Sequence, residues 1–482
     1  MTALKRTPFR ASAWLVCGVL VVSGCVRNPA TGERQLSLVS EAQEVQLGQQ
    51  AAREVEQTIG LVDDQQLQAY VARIGRQLAA ASERPSLPWR FGVVDDPTPN
   101  AFALPGGPIY LTRGMMNLMD SEAELASVLG HEIGHVTARH SAAMISRQQL
   151  AQLGLGLGGI LYPELQSFGQ ALGVGLELLF LKHGRDAERQ ADDLGFRYAG
   201  RGNYDLREMA DVFASLERIG ETEKRSALPS WLTTHPAPAE RIERVNAMLA
   251  KQPAADEARV GRDAYLNQID QLVYGENPRN GFFEEGVFYH PDLRFQFRVP
   301  SGWQAQNLPQ AVVAAAPQGA AAFQLTLAGD IRPDEAARRF ISQPGVRALA
   351  SEREMINGIP AQITVFDAQT GNTPIRGMLA HLTYGGRTYE LAAYTAAGAF
   401  GSYQRAFERA IASFGPVSER RVLSVQPKRM DIVRLDRAMT LAEFGRAHPS
   451  AIPLRELAIL NQVSNENARL AAGTLVKRVV GS

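Results

Sequence analysis

Two periodicities of hydrophobic and polar positions follow one another along this chain. Up to about residue 250, apolar side chains recur every three or four positions, which predicts amphipathic helices. Three of these helices begin at polar capping residues and are expected to run to about residues 59, 81 and 145; the caps are Ser40 with Gln43, Asp64, and Ser121 with Glu124. Further helical patterns cover 185–198, 206–219 and 239–249.

Other segments alternate with a period of two and predict strands. Residues 89–94 alternate in this way, and segments 100–104 and 108–112 flank the turn Pro105-Gly106-Gly107, which is typical of a hairpin. From about residue 281 strand patterns dominate. The predicted fold class is therefore α+β, with a mainly helical domain that carries a small edge β-sheet, followed by an α+β domain.

The changes of pattern also predict domain boundaries. We expect a leader over 1–24, a mainly helical domain over 25–255, a linker over 256–280, an α+β domain over 281–418 and a small module over 419–482. A length of 482 residues agrees with three or four domains of roughly 100–200 residues each.

Composition excludes several classes of protein. With 45% hydrophobic and 21% charged residues, the chain is neither wholly disordered nor a polytopic membrane protein. Lys+Arg and Asp+Glu balance at 50 each, so no basic surplus argues for nucleic-acid binding. The only cysteines are Cys17 and Cys25, which excludes a disulfide framework and a cysteine-rich zinc module.

The first 25 residues have the pattern of an export signal. Three basic residues precede an apolar stretch over 11–22, which is short for a membrane span. The segment Leu20 to Cys25 resembles the bacterial lipobox, in which the cysteine thiol receives a diacylglycerol. We expect Cys25 to be lipidated and the protein to be anchored to the outer membrane, facing the periplasm. An ordinary secretory signal or an N-terminal anchor helix is the alternative.

His131-Glu132-Ile133-Gly134-His135 is an H-E-x-x-H motif within a predicted helix. At about 100° per residue the two histidines lie about 40° apart on one face, so both imidazoles can reach a single zinc ion. Glu132 lies on the flank of that face, where its carboxylate can meet a water molecule. Two core histidines with a surface glutamate are the structural alternative.

A hydrolytic zinc site needs a third protein ligand and an open fourth position. The best carboxylate is Glu188, at the start of the next strong helix. Asp192 lies one turn further along the same face and can orient a ligand imidazole through its other ring nitrogen. Taken alone, Glu188 would more often be an exposed residue in a salt bridge.

These motifs resemble the CAAX-prenyl-protease/HtpX-type zinc metallopeptidase family, and in particular its soluble periplasmic BepA-like branch. The resemblance covers about residues 35–250 and rests on four motifs in order: Asn100 to Gly107, Val128 to His140, Glu188 to Asp192, and Thr234-His235-Pro236 with Arg241. It implies a gluzincin fold, one zinc ion held by two histidines and a glutamate, and endopeptidase activity. The C-terminal helical repeats of BepA-like proteins are not found in this sequence.

The charges of such a site imply a mechanism. Zinc lowers the pKa of water, and Glu132 acts as general base that later protonates the leaving amine. His235 and Arg241 are candidates to face the developing oxyanion. His235 has two alternatives, as a ligand in the open zinc position that keeps the enzyme latent, or as a structural cap.

Two further segments concern substrate access. By resemblance, Asn100, Ala101, Phe102 and Ala103 form an edge strand that pairs with an extended substrate backbone, with a buried hairpin as the alternative. The apolar, glycine-rich segment 150–181 predicts a lid over the cleft or a buried helical hairpin. His140 lies about 180° from His131 on a continuous helix, so we expect it to pack or hydrogen-bond within the core.

The later domains carry weaker signals. His290 to Trp303 resembles the opening of a PsbP/Mog1-like domain, and residues after about 419 resemble a degenerate LysM-like module, which would bind peptidoglycan. The usual Gly-Asp-Thr opening of a LysM module is replaced by Ala438-Met439-Thr440.

The leading hypothesis is a zinc endopeptidase of the bacterial envelope that cleaves misfolded or stalled outer-membrane proteins. A zinc amidase acting on peptidoglycan and a non-proteolytic chaperone or assembly factor for outer-membrane proteins are the alternatives. The protein partners are therefore envelope substrates, with peptidoglycan a further candidate and nucleic acid excluded.

Overall fold

Polar caps fix the starts of the helices that position the site. The computed structural model describes residues 25–152, 183–220, 231–236, 238–252, 255–370 and 373–481. Ser40 and Gln43 form the predicted capping box, and Asp64 and Ser121 cap the next two predicted helices. The predicted leader and nearly all of segment 150–181 lie outside the described residues.

These residues form two compact units, of which the first combines the chain up to Tyr274 with Arg429–Val480 and the second is Gly275–Lys428. Up to Tyr274, the first unit contains five strands and ten helices in the part of the chain that is described. They are β1 Cys25–Arg27, β2 Arg34–Leu36, α1 Glu41–Thr58, α2 Gln65–Ala80, β3 Arg90–Val94, β4 Ala101–Ala103, β5 Pro108–Thr112, α3 Arg113–Leu118, α4 Glu122–Thr137, α5 His140–Gln152, α6 Arg185–Arg201, α7 Glu208–Gly220, α8 Trp231–Thr234, α9 Pro238–Lys251 and α10 Arg262–Ile269.

The predicted helix from Ser121 to about Ile145 is interrupted. Helix α4 ends at Thr137, Arg139 adopts a left-handed conformation with φ of 59°, and α5 begins at His140. A single non-glycine residue at positive φ ends the regular helix and reorients the chain that follows. Because of this break, angles counted along one continuous helix do not apply to residues beyond Arg139.

A three-stranded sheet lies beside α4 in the order β3-β5-β4. Strands β3 and β5 are parallel, whereas β4 and β5 form the predicted hairpin and are antiparallel. The turn needs Gly106, since its φ is +73° and an added Cβ would lie 2.6 Å from the Cα of Val45. Because β5 is the central strand, β4 lies at one edge of this sheet.

Residues 429–480 belong to the first unit, although the sequence predicts a separate module over 419–482. Their elements are β17 Arg429–Arg434, β18 Met439–Thr440, α14 Leu441–Ala447, α15 Leu454–Leu460, β19 Arg469–Leu470 and β20 Leu475–Val480. Strands β17 and β20 pair antiparallel around the two helices. Met430, Ile459 and Val479 join the same buried core as Leu125 and Leu129 of α4.

The predicted linker over 256–280 contains α10, whose Tyr265, Leu266 and Ile269 are fully buried. Three large apolar side chains on one short helix contribute to the core of the first unit. Residues 262–269 are therefore part of a folded core, although the sequence predicts a linker there.

The second unit confirms the expected mixture of strands and helices. A seven-stranded antiparallel sheet has the order β12-β13-β14-β15-β11-β10-β9, and a smaller sheet has the order β16-β8-β7-β6. Phenylalanines on β7, β8 and α12 form much of its core. Its elements are β6 Phe282–Glu284, β7 Val287–His290, β8 Phe295–Arg298, β9 Gln304–Asn307, β10 Ala311–Ala315, β11 Ala321–Gly329, α11 Pro333–Ile341, β12 Arg347–Ile356, β13 Ile359–Thr370, β14 Thr373–Tyr384, β15 Arg387–Ala396, α12 Phe400–Ala412, β16 Gly415–Pro416 and α13 Arg420–Leu423.

Candidate active site

Helix α4 is buried along its whole length and presents the two histidines of the H-E-x-x-H motif to one point. The Nε2 atoms of His131 and His135 lie 3.0 Å apart. This agrees with the spacing of one helical turn between positions i and i+4.

Three glycines allow α6 to approach α4 closely. A Cβ at Gly195 would lie 2.8 Å from the backbone nitrogen of His131, and Cβ atoms at Gly130 and Gly134 would lie 3.0 Å from carbonyl oxygens of α6. This close contact brings Glu188 to the two imidazoles, at 3.6 Å from His131 Nε2 and 3.4 Å from His135 Nε2.

His235 completes the group from the opposite side. It follows α8, its backbone N–H donates to the carbonyl of Trp231, and its ring stacks on the Trp231 ring with centroids 4.8 Å apart. Its Nδ1 atom lies 3.1 Å from each carboxylate oxygen of Glu188 and 3.2 Å from His131 Nε2.

The donor atoms of His131, His135, Glu188 and His235 all lie within 4.8 Å of one another, and all four residues are buried. A tetrahedral zinc site with ligand bonds of 2.0–2.1 Å has distances of about 3.3–3.4 Å between its donor atoms. The distances among the donors of His131, His135 and Glu188, at 3.0, 3.4 and 3.6 Å, lie on both sides of this value. The group therefore fits zinc in both chemistry and spacing.

The electrostatics of the group favour a neutral imidazole at His135 and an ionised carboxylate at Glu188. Burial lowers the pKa of His135 well below its usual value. Burial alone would raise the pKa of Glu188, but the surrounding His235 and His135 hold that pKa below its usual range. A neutral His135 and an ionised Glu188 are in the protonation states that a zinc ion requires of its ligands. At His235, by contrast, burial is outweighed by the carboxylates of Glu188 and Glu132, which raise the pKa of its imidazole.

Asp192 and Arg241 hold the outer nitrogen of His131. Asp192 Oδ1 lies 3.0 Å from His131 Nδ1, and Arg241 donates to both oxygens of Asp192 at 2.5 and 2.9 Å. The guanidinium carbon lies over the rings of Phe213 and Trp231 at 4.1 and 4.3 Å. Burial would raise the pKa of Asp192, but the Arg241 charge and the His131 hydrogen bond keep it below its usual value. Arg241 thus contacts the carboxylate that orients His131.

Glu132 lies at the edge of the donor group and is almost fully buried. Its Oε1 atom is 3.6 Å from His235 Nε2 and has no hydrogen-bond partner within the described part of the chain. Leaving a buried carboxylate oxygen unpaired is costly, so such an atom is typical of a site that accepts a water molecule or a ligand.

The predicted substrate strand is the edge strand β4. Ala101 to Ala103 pair with Ile109 to Leu111 on one side, and the backbone of Asn100 exchanges hydrogen bonds with Thr112. The strand lies against α4. Cys25, the predicted lipidation site, is the first residue of β1.

Two further histidines, His140 and His183, lie beside the donor group. His140 Nδ1 is 2.9 Å from His135 Nδ1, and the His183 ring centroid is 4.0 Å from that of His135. Burial lowers the pKa of His140 to about 4, so its imidazole is neutral. The expectation that His140 hydrogen-bonds within the core is confirmed, but its partner could not be predicted because α4 ends before it.

Comparison with known proteins identifies the family. The family model "Peptidase family M48" matches residues 65–249. The mitochondrial metalloendopeptidase OMA1 of Schizosaccharomyces pombe is 31% identical over 247 residues, which cover 49% of this chain and 69% of that protein. The chain belongs to peptidase family M48. The predicted zinc metallopeptidase family and enzyme class are thereby confirmed.

Other family M48 relatives are covered over less of their length. The beta-barrel assembly-enhancing protease of Yersinia pestis is 32% identical over 44% of this chain and 45% of its own length. OMA1 of Arabidopsis thaliana is 34% identical over 41% of this chain and 38% of that protein. The chain therefore spans less than half the length of these two relatives.

The solved structures that resemble the chain match smaller parts of it. Cyanobacterial PsbP from Synechocystis covers 27% of this chain and 91% of its own, at 14% identity and a TM-score of 0.24. LpqN of Mycobacterium tuberculosis covers 26% of this chain, at 12% identity and a TM-score of 0.21. Within the described residues, every helix is too short or too polar to cross a membrane.

Proposed function

We propose that this M48 peptidase is a zinc endopeptidase of the bacterial envelope, with one zinc ion held by His131, His135 and Glu188. The observation that carries the proposal is the buried group of His131, His135 and Glu188, with donor atoms 3.0–3.6 Å apart, beside an unpaired Glu132 oxygen. A zinc ion bound there would acidify water and polarise a peptide carbonyl.

Two acidic side chains, Glu132 and Asp192, control where protons lie in the proposed reaction. Glu132 is the general base, because its buried carboxylate has a free oxygen next to the donor group and can accept a proton from the attacking water. The same carboxyl group then returns the proton to the leaving amine. Asp192 accepts a hydrogen bond from His131 Nδ1 and so fixes the tautomer in which Nε2 is free to bind metal.

Arg241 is proposed to act through Asp192. Both of its hydrogen bonds to that carboxylate are made inside the protein, and its guanidinium lies over the rings of Phe213 and Trp231. These contacts support a positioning role for Arg241. Its Nη1 atom lies 3.4 Å from Glu188 Oε2 and has no hydrogen-bond partner within the described residues, so this nitrogen stays a candidate to face the oxyanion.

We propose that His235 holds a resting state. A hydrolytic zinc site keeps one position open for water and substrate, whereas four protein donors close it. The His235 Nδ1 atom lies as near to Glu188 as a fourth ligand would. His235→Ala is expected to raise peptide cleavage, whereas a fall would support transition-state stabilisation and no change would argue against both roles.

Substrate would bind as an added strand. The edge strand β4, with Asn100, Ala101, Phe102 and Ala103, lies against the helix that carries Glu132 and has one side free of a neighbouring strand in the three-stranded sheet. Backbone pairing there would give broad tolerance of side chains, as suits a protease that acts on misfolded chains.

Location and substrates are proposed from the lipobox and the relatives. The sequence Leu20 to Cys25 supports lipidation of Cys25 and an outer-membrane anchor facing the periplasm. Relatives named beta-barrel assembly-enhancing protease support misfolded or stalled outer-membrane proteins as substrates. Residues 429–480 place two helices between the paired strands β17 and β20, which is compatible with a degenerate LysM-like module and hence with weak contact to peptidoglycan.

Digestion of casein and of purified muropeptides by the wild type and Glu132→Gln separates the candidate activities. The proposal predicts that the wild type cleaves casein and that the variant does not, although it folds and binds zinc. Cleavage of muropeptides alone would support the amidase, and full rescue of outer-membrane protein assembly by Glu132→Gln would support the chaperone.

A further inference from the structure

The N-terminal hairpin of strands β1 and β2 is bonded to the end of the helix that carries the H-E-x-x-H motif. Asn28 Nδ2 and Gln35 Nε2 each donate to the carbonyl oxygen of Ala138, both at 3.2 Å. The last carbonyls of a helix have no donor within that helix, so side chains that bond them fix the position of its end. The hairpin is therefore docked against the C-terminal end of α4.

A line of hydrogen bonds connects this hairpin to His135. Glu33, in the turn of the hairpin, accepts from Gln190 Nε2 at 3.2 Å. Gln190 Oε1 lies 3.1 Å from His140 Nε2, and His140 Nδ1 lies 2.9 Å from His135 Nδ1. Four side chains from the hairpin, α6, α5 and α4 thus form one continuous chain of contacts.

The chain has a single consistent direction of donation. If His135 binds metal through Nε2, its Nδ1 carries the proton and donates to His140 Nδ1. His140 then carries its proton on Nε2 and donates to Gln190 Oε1, which leaves the Gln190 amide to donate to the Glu33 carboxylate. Every donor meets an acceptor, and the chain ends on an anion.

We propose that His140, Gln190 and Glu33 are positioning residues that fix the orientation and tautomer of His135 for the zinc ion. The proposal rests on the zinc site put forward above. It gives the hairpin that begins at Cys25 a part in orienting His135, equivalent to the proposed part of Asp192 in orienting His131. The affinity for zinc then depends on the docked hairpin.

The test is competition for zinc between a chromophoric chelator and the purified full chain. Gln190→Leu removes both links of the chain at nearly constant volume, and should weaken zinc binding on the order of tenfold or more. Glu33→Gln keeps an acceptor but removes the charge, and should weaken binding less. Arg27→Gln, on the same hairpin but outside the chain of contacts, should leave the affinity unchanged.

A double-mutant cycle distinguishes positioning from a general loss of structure. Glu33 acts on the metal through Gln190, so Glu33→Gln should have no further effect in the Gln190→Leu background. Thermal unfolding of the zinc-free variants is measured in parallel to separate affinity from stability. Zinc affinity of Gln190→Leu within twofold of wild type, or additive effects in the cycle, would overturn the proposal. A wild type without measurable zinc affinity would instead overturn the zinc site itself.

Discussion

Substitution of Lys477 on β20 tests directly whether the packing of residues 429–480 stabilises the first unit. The side chain is completely buried, and its ammonium group donates to the carbonyl oxygens of Asn117, Leu118 and Met119 at the end of α3. It also lies 2.7 Å from the carboxylate of Asp120, just before the cap of α4. One buried cation therefore joins strand β20 to the start of α4, the helix that carries the H-E-x-x-H motif.

Lys477→Met keeps the apolar stem and removes the charge. The three carbonyls lose this donor, and within the described residues the buried Asp120 retains Arg262, at 2.9 Å, as its one ion-pair partner. Removing one member of a buried ion pair typically costs about 3–5 kcal/mol. For a unit of this size about 2–4 °C of melting temperature correspond to each kcal/mol, so we expect a decrease of at least about 6 °C.

Urea and thermal unfolding of the full chain, followed by tryptophan fluorescence, measure this effect. Arg478→Met is the matched control, because this neighbouring residue forms an ion pair with Asp431 whose side chains are 24% and 25% exposed, and for such a partly solvated pair a loss of less than about 1 kcal/mol is expected. If Lys477→Met were as stable as the control, the packing of this segment into the first unit would not contribute as argued.

Three further substitutions probe other parts of the site and its support. Burial and the nearby Asp120 raise the pKa of Glu124. The folded protein therefore keeps a proton on Glu124 that the unfolded chain releases near about pH 4.3. Because of this difference, the free energy of unfolding decreases as the pH rises above that value. In urea unfolding, the stability of Glu124→Gln relative to wild type should therefore increase as the pH rises above about 5. A difference that does not change with pH would contradict this. Gly195→Ala should push α6 away from α4, lower the free energy of unfolding by about 1–3 kcal/mol and weaken zinc binding in a chelator assay. Gly200→Ala, where an added Cβ makes ordinary contacts, should have none of these effects. Asp192→Asn should lower zinc affinity about 10–100-fold, and equal affinities for Asp192→Asn and the exposed Asp193→Asn would argue against the role of Asp192.

Local rules predict the parts of the site that depend on one helix. The spacing of His131 and His135 follows from helical geometry alone, and the caps at Ser40 and Asp64 follow from side-chain chemistry. The hairpin around Gly106 follows from its turn residues. These predictions are confirmed because each depends on residues within a few positions of one another.

Contacts between distant segments could not be predicted in the same way. Gly195 allows the close approach of α6, but no local pattern shows which helix a glycine faces. His140 reaches His135 only because Arg139 interrupts the helix. From the sequence alone, Lys477 has the pattern of a surface lysine on a strand. The carbonyl groups that accept hydrogen bonds from its side chain lie more than 350 positions away. Each of these features depends on tertiary packing.

The central claim is that the buried His131, His135 and Glu188 side chains bind one zinc ion. The most direct measurement is the zinc content of the purified full chain, by elemental analysis, together with casein hydrolysis before and after chelation and zinc addition. The account predicts one zinc per chain, loss of hydrolysis on chelation, recovery on adding zinc, and an inactive Glu132→Gln that still holds the ion. A wild type that holds no zinc, and gains no hydrolysis when zinc is added, would contradict it.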